Sequence, residues 1–208
     1  MVDKPAIWDM FQSFFTIEGD RIHIDSQGVV HAPLGTITDR TSEFPHQQIP
    51  IQFGHVYEFN ITGTNINSWK GFPTQAGIIG CAYNELHDWT GCPGAPRIMA
   101  SGNPFTSLKG IPPQVKKLKI LKCPKLKNLQ DVPELDEIWL TYYPDLPLLA
   151  TLKCKDIVLS YPGNDAVMQA KVDQVAAILN KYAGEGTKGA IKCAAELIKA
   201  GFRENARW

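Results

Sequence analysis

Apolar residues recur along the central part of the chain as couplets spaced about twenty residues apart. Each couplet places two apolar residues on either side of a single intervening position, which is the spacing of one face of a β-strand. The couplets are Phe59/Ile61, Ile79/Cys81, Ile98/Ala100, Leu118/Ile120, Ile138/Leu140 and Ile157/Leu159. Because they share one phase, the pattern predicts parallel strands stacked side by side as successive coils of a solenoid.

A turn signal follows each of the first four couplets, and its proline stands 12 or 13 residues after the couplet. The four proline corners are Gly71-Phe72-Pro73, Gly91-Cys92-Pro93, Gly110-Ile111-Pro112 and Asp131-Val132-Pro133. A large apolar residue stands four places before each proline, at Trp69, Trp89, Leu108 and Leu129. Glycine and proline favour turns, so each corner predicts where a coil bends. A degenerate fifth copy has Leu146 and Leu149 at the matching places.

The third position after each couplet predicts how neighbouring coils are joined. This column holds Thr64, Asn84, Asn103, Cys123, Tyr143 and Pro162. Buried backbone groups need hydrogen-bond partners, and an inward asparagine amide supplies them for the adjacent coil. Tyr143 and Pro162 interrupt this ladder, so the later coils are expected to be less regular.

The first part of the chain lacks the regular repeat. Apolar residues at helical spacing predict a short helix after Pro5, at Ile7, Trp8, Phe11, Phe14 and Phe15. Such a helix either caps the open end of the array or forms an exposed aromatic segment that docks elsewhere.

Two alternating runs follow, at residues 15–17 and 22–24. They flank a turn at residues 18–20 and predict a β-hairpin, with a second turn at residues 25–28. Residues 32–55 are punctuated by proline and glycine and are expected to be irregular, ending in a partial first repeat.

Residues after Pro162 change to a helical pattern. Asn164 and Asp165 can cap a helix with an apolar stripe that runs to about Tyr182, and Gly201 ends a second helix. A helical hairpin at this place covers the apolar edge of the last coil. The segment 184–189 reads G-x-G-x-x-G, but it follows a helix rather than a strand, so it predicts an interhelical loop and no cofactor site.

The segment Asn103–Pro112, NPFTSLKGIP, resembles the N-x-L-T-S-L-x-G-x-P unit of short leucine-rich-repeat proteins encoded by large bacteriophages. The C-terminal residues 189–208 are also similar to the tail of such proteins. The resemblance implies an α/β repeat with a leucine-rich-repeat-like solenoid, and a host or phage protein as partner, with an inhibitor or anti-defence role among the implied functions. Thr64 in place of asparagine and Asp131 in place of glycine depart from the pattern.

The predicted organisation has three parts. Residues 1–55 form an N-terminal cap with a short helix, a β-hairpin and a partial first repeat. Residues 56–163 form a solenoid of five to six coils with a parallel strand ribbon, and residues 164–208 form the C-terminal helical hairpin cap.

Composition narrows the class of protein. The chain has 21 basic and 21 acidic side chains, and this balance argues against bulk polyanion binding. No apolar run approaches the roughly 20 residues of a membrane span, and the start lacks a secretory signal. The five cysteines are odd in number and lack metal-site spacing, so they are expected to be reduced, in a cytoplasmic protein without metal or disulfide. We expect no catalytic residue, because no histidine lies near a nucleophile constellation in the sequence.

Charge is uneven along the array. A lysine band has no acidic residue within it and consists of Lys109, Lys116, Lys117, Lys119, Lys122, Lys125 and Lys127. Acidic residues follow directly, at Asp131, Glu134, Asp136, Glu137 and Asp145. The two bands either pair between adjacent coils or steer a charged protein to a docking surface. A nucleic-acid-associated protein is an alternative, which would show steep salt dependence.

The repeat also predicts which side chains point outward from the strand ribbon. Aromatic residues, methionine and arginine in this row favour a protein interface. The predicted partner-binding residues are Tyr83, Arg97, Met99, Lys117, Lys119, Trp139, Tyr142 and Tyr161. The sequence thus favours a non-enzymatic protein-binding scaffold. Packing of Trp139 or the tyrosines against the helical cap is one alternative, and a structural part of a virion is another.

Overall fold

The computed structural model of the chain describes residues 2–143 and 152–206. The chain forms, in order, α1 (Lys4–Phe14), β1 (Phe15–Glu18), β2 (His23–Ile24), β3 (Val30–Asp39), a 3₁₀ turn (Pro45–Gln47), β4 (Phe53–Asn60), β5 (Gln75–Gly80), β6 (Arg97–Met99), β7 (Lys117–Ile120), β8 (Leu135–Thr141), β9 (Cys154–Ser160), α2 (Ala166–Lys181), α3 (Gly186–Lys199) and a 3₁₀ turn (Arg203–Ala206).

Strands β3 to β9 lie side by side in chain order, and every neighbouring pair among them is parallel. Ile79 aligns with Ile98, Ile98 with Leu118, and Leu118 with Ile138. The predicted ribbon and its register are therefore confirmed, and the chain is a parallel β-solenoid. Residues 61–74, 81–96, 100–116 and 121–134 connect its strands through turns and bends and contain no helix. Within the described ranges, the helices lie before and after the coils.

Large side chains stack along the inside of the coils. The ring of Trp69 lies 5.7 Å from Trp89, and Trp89 stacks at 4.5 Å on Phe105. The indole N–H of Trp69 donates to the carbonyl of Asp88 in the next coil at 2.8 Å, and that of Trp89 donates to the carbonyl of Ser107 at 3.1 Å. Each tryptophan thus joins its coil to the next by packing and by a hydrogen bond.

The predicted ladder of inward polar side chains is confirmed from Thr64 to Cys123. Asn103 is 1% exposed, and its Nδ2 donates to the carbonyls of Cys81 at 2.9 Å and Ala100 at 3.0 Å. Its Oδ1 accepts from the Leu86 N–H at 3.0 Å. Asn84 makes equivalent bonds one coil earlier and accepts a hydrogen bond from the Thr64 hydroxyl. The thiol of Cys123 donates to the carbonyl of Leu121 at 3.5 Å.

The N-terminal helix caps the array. Asp3 accepts from the Ala6 N–H at 3.1 Å, so α1 begins at Lys4, slightly before the predicted start. Phe11 is buried and lies 5.7 Å from the ring of Phe15 and 6.3 Å from that of Phe53. The helix therefore covers the first strands, as the capping interpretation predicted.

The predicted hairpin around residues 18–20 is wrong. Strands β1 and β2 do not pair with each other, and both pair antiparallel with β3. Residues 19–22 connect β1 to β2, and these two strands pair with different parts of β3. The second predicted turn is confirmed, since Asp25 accepts from the N–H groups of Gln27 and Val29 and closes the β2–β3 hairpin.

The prediction of irregular structure for residues 32–55 is also wrong for residues 32–39, which belong to β3. Strand β3 continues to Asp39 and joins β4 in parallel, with register shifts between Val30 and Thr36. Pro33 and Gly35 lie at this bulge, where the break in regular pairing tolerates a residue without an N–H. Leu34 points outward there and is 77% exposed.

Both predicted C-terminal helices are present, and α2 closes the last edge of the sheet. The loop predicted at residues 184–189 is shorter than expected, because α3 already begins at Gly186. The side chain of Asp165 caps α2 by accepting from the Val167 and Met168 N–H groups. The amide of Asn180 accepts from the Ile157 N–H at 2.7 Å and donates to the Ile157 carbonyl at 2.9 Å. Gln169 accepts from the Tyr161 N–H at 2.8 Å. These two amides take the place of a further strand beside β9.

One hydrophobic cluster runs through the described residues from α1 to α3 and includes Phe11 and Leu197. The degenerate repeat at Leu146 and Leu149 lies outside the described residues, as does the final Arg207-Trp208.

The asparagine ladder yields a stability prediction. Asn103→Ala leaves buried carbonyls and the Leu86 N–H without partners, so it should lower the free energy of unfolding by about 3 kcal/mol. Urea denaturation measures this change. The matched control is Asn67→Ala, which removes an exposed amide bonded to Gln47 and should cost less than about 0.5 kcal/mol. Equal effects of the two changes would contradict the ladder's role.

The proline corners yield a second prediction. Gly71, Gly91 and Gly110 have φ of 86°, 83° and 92°, and Asp131 holds the same left-handed region with φ of 57°. Asp131→Gly should raise the free energy of unfolding by about 1 kcal/mol, since glycine adopts this conformation without a Cβ clash. Its ion pair with Lys109 is long and exposed, so its loss matters little.

Thermal denaturation of the unchanged protein, Asp131→Gly and Asp131→Ala tests whether the left-handed backbone at residue 131 is the cause of the change. Asp131→Ala removes the same carboxylate but keeps the Cβ atom, so it should not stabilise the protein. If alanine and glycine stabilise equally, relief of the left-handed backbone is not the reason.

Candidate functional site

The outward residues of the central strands form two rows, as the repeat predicts. Arg97 aligns with Lys117 and Lys117 with Glu137, while Met99 aligns with Lys119 and Lys119 with Trp139. We call the outward surface of β4–β9 the strand face. The side chains alternate along each strand, so the buried couplets hold these residues at fixed positions.

A groove of about 220 Å³ lies at the centre of the strand face. Its lining consists of Arg97, Ile98, Met99, Lys117, Leu118, Lys119, Glu137 and Trp139. Five of the predicted partner-binding residues are therefore brought together in this strand-face groove. The buried backbone of β6 to β8 forms its floor.

Glu137 organises one wall of the groove. Its Oε1 accepts from the indole N–H of Trp139, and its Oε2 lies 3.0 Å from the Lys117 ammonium. The indole hydrogen bond and then the Lys117 ammonium hold the pKa of Glu137 below its ordinary value. The sequence placed Glu137 in the acidic band but did not assign it to the site. Its position two residues before Trp139 on one strand is the signal that could have identified it.

Trp139 is held in place yet accessible. It is 37% exposed, and the ammonium of Lys119 lies 5.0 Å above its ring. Such a cation–π contact, together with the Glu137 hydrogen bond, restricts the indole to one orientation. The alternative that Trp139 folds against the helical cap is not what the structure shows.

Apart from Glu137, which lines the groove, the acidic residues of the strand face lie toward its two sides. Glu58 on β4 accepts from the Asn60 amide at 2.8 Å, and Asp156 lies on β9. Between them, Arg97 and Lys119 form no ion pair with any residue that the structure describes. The strand face thus has a cationic centre and acidic flanks.

The three predicted tyrosines do not line the groove. Tyr83 is 51% exposed, has φ of 57°, and receives the Lys122 ammonium 5.9 Å from its ring centre. Gly102 leaves the space that its ring occupies, since a Cβ there would lie 2.5 Å from it. Tyr142 and Tyr161 are half-buried against the core, and the Tyr161 N–H donates to Gln169 of α2.

The lysine band is partly neutralised by the acidic band of the adjacent coil. Lys109 lies 3.9 Å from Asp131, and Lys117 lies 3.0 Å from Glu137. The Lys116 ammonium donates to the Glu134 carbonyl at 3.3 Å. Pairing between adjacent coils is thus seen for Lys109 and Lys117, and their ion pairs reduce the positive field available to a nucleic acid.

The cysteines are placed as core residues. Burial raises the pKa of the Cys81 and Cys92 thiols, and it raises the pKa of Cys154 and Cys193 to about 11. A thiol in this state is a poor nucleophile at neutral pH. In residues 2–143 and 152–206, no cluster of three or more histidine, cysteine or acidic side chains could hold a metal ion. None of the helices in these ranges combines the length and hydropathy that a membrane crossing needs.

Comparisons with protein-family models, with curated proteins and with solved structures each find no match to this chain. The functional interpretation therefore rests on the residues of the strand face.

The Glu137 contacts yield a pH prediction. A lowered pKa keeps the carboxylate ionised, so its contacts persist above that pKa and are lost as the pH falls through it. The Trp139 indole N–H resonance should titrate with a midpoint below the ordinary 4.5 of a glutamate. Nuclear magnetic resonance measures it, with the signal assigned by its absence in Trp139→Phe. Glu137→Gln should abolish the titration, and a midpoint at or above 4.5 would contradict the arrangement.

Proposed function

We propose that the chain is a non-enzymatic scaffold that docks another protein through its strand face. The observation that carries the proposal is the exposed Trp139, held by Glu137 and Lys119 in a groove between cationic side chains. A tryptophan fixed in this way offers apolar contact area at little entropic cost, and interface hot spots favour such residues.

A leucine-rich-repeat-like architecture is part of the same proposal. The stacked parallel strands and the ladder of Asn84 and Asn103 amides support it, because that repeat also uses an inward asparagine to join its coils. The segment Asn103–Pro112 carries the resemblance to short-repeat proteins of large bacteriophages. From it we propose a host or phage protein as the partner, with inhibition of a host factor as the consequence of docking.

The proposal predicts that two strand-face changes abolish capture of the partner from a lysate. Trp139→Ala removes the apolar anchor and should weaken binding about thirtyfold, and Lys119→Glu reverses the charge beside it. The measurement is a nuclease-treated pull-down with mass spectrometry, so that bridging by nucleic acid is removed.

The matched control is Lys127→Glu, which makes the same charge change on an exposed lysine outside the strand face. A partner lost in both strand-face variants and kept by the control supports the proposal. A specific partner that all three variants retain would place the docking surface elsewhere on the molecule.

A further inference from the structure

We infer that the strand-face groove receives an extended segment of the partner in which an acidic residue has an apolar residue two positions before it and another two positions after it, so that all three side chains share one face. A carboxylate lies between Arg97 and Lys119, and apolar neighbours lie against Met99 and Trp139. The inference rests on the proposed function, because it names the chemistry of the partner at the same site.

The cations of the groove are not equivalent. Glu137 uses one carboxylate oxygen for the Trp139 indole and the other for Lys117. Lys117 is thereby neutralised, while Arg97 acts on the Glu137 carboxylate only at longer range. Neither Arg97 nor Lys119 forms an ion pair with a described residue. The groove therefore presents two unneutralised cations to whatever enters it, and a carboxylate is the complementary group.

The two cations can share one carboxylate. Arg97 lies on β6 beside Lys117, and Lys119 lies on β7 beside Met99, so they are diagonal neighbours on adjacent strands. Parallel strands lie about 4.8 Å apart. The Arg97 side chain is therefore long enough to reach a carboxylate that contacts the Lys119 ammonium where it lies over the Trp139 ring. The guanidinium offers the planar donor pair that binds carboxylates well.

Apolar surface lies on both sides of this cationic pair. Trp139 is exposed on the β8 side, and Met99 is half-buried between the cations. On the other side, β5 presents the half-buried Ile78, while the side-chain amide of Asn60 fills the space over Gly80. An apolar side chain of the partner can therefore pack on either flank of the bound carboxylate.

The acidic flanks set a limit on the partner's charge. Glu58 aligns with Ile78 at one side of the face, and Asp156 aligns with Glu137 at the other. A partner with an anionic group at every residue, such as a nucleic acid or a polyacidic tract, would meet like charge at both sides. From β5 to β8 the face spans about 14 Å, which an extended segment of about five residues covers. A pentapeptide with a central acidic residue and apolar first and fifth residues matches this length and charge pattern, because these three side chains share one face of an extended segment.

The test uses the full chain and three blocked pentapeptides, in which leucine occupies the first and fifth positions, serine the second and fourth, and aspartate, asparagine or lysine the third. Binding is followed by the Trp139 indole resonance. The aspartate peptide should shift this resonance and bind at least about tenfold more tightly than the asparagine peptide. Arg97→Glu and Lys119→Glu should each weaken the aspartate peptide about tenfold, while Lys127→Glu should change its affinity less than twofold.

Each other outcome overturns the inference in a distinct way. Equal binding of the asparagine or lysine peptide at Trp139 would remove the acidic requirement and leave strand-face docking intact. Tighter binding of a ten-residue oligothymidylate would make the groove a nucleic-acid site. If no pentapeptide shifts the Trp139 resonance, the inference is wrong, and the pull-down with Trp139→Ala decides separately whether the strand face docks a protein.

Discussion

Each coil of this protein depends on its neighbours to satisfy its backbone. The strands donate and accept only between coils, and the buried carbonyls just beyond them have no partner of their own. The amides of Asn84 and Asn103 supply that partner, and the indoles of Trp69 and Trp89 do the same on the turn side. Buried polar groups without partners are costly, so these side chains fix how one coil lies on the next. The flat strand face and its groove exist because the stacking is regular.

The central array could be predicted because the repeat of about twenty residues and the two-residue alternation along each strand agree. The repeat fixes which residues lie beside one another on adjacent strands, and the pleat fixes which of them point outward. Together they place Ile98 beside Leu118 and Met99 beside Lys119. The same logic predicted that Arg97 and Trp139 share a face, and the structure brings them to one groove.

The N-terminal part could not be predicted in the same way. Strands β1 and β2 pair with β3 and not with each other, and nothing in a local alternating pattern records such a choice. Strand β3 was also missed, because it continues through a bulge at Pro33 and Gly35, and these residue types normally interrupt a strand. In the site, the role of Glu137 depends on the side-chain contacts with Lys117 and Trp139, which residue order alone does not give.

The two carboxamides of α2 have a further consequence. An uncapped terminal strand would template the addition of any extended chain, including another copy of the same protein. Asn180 and Gln169 of α2 prevent this addition, because they occupy N–H groups at the edge of β9, and α2 lies outside the repeating units. Growth of the ribbon and its termination are therefore encoded separately. Evolution can therefore duplicate or delete coils before β9 and so widen or narrow the strand face by one strand at a time. The same helix α2 would still cover the last strand.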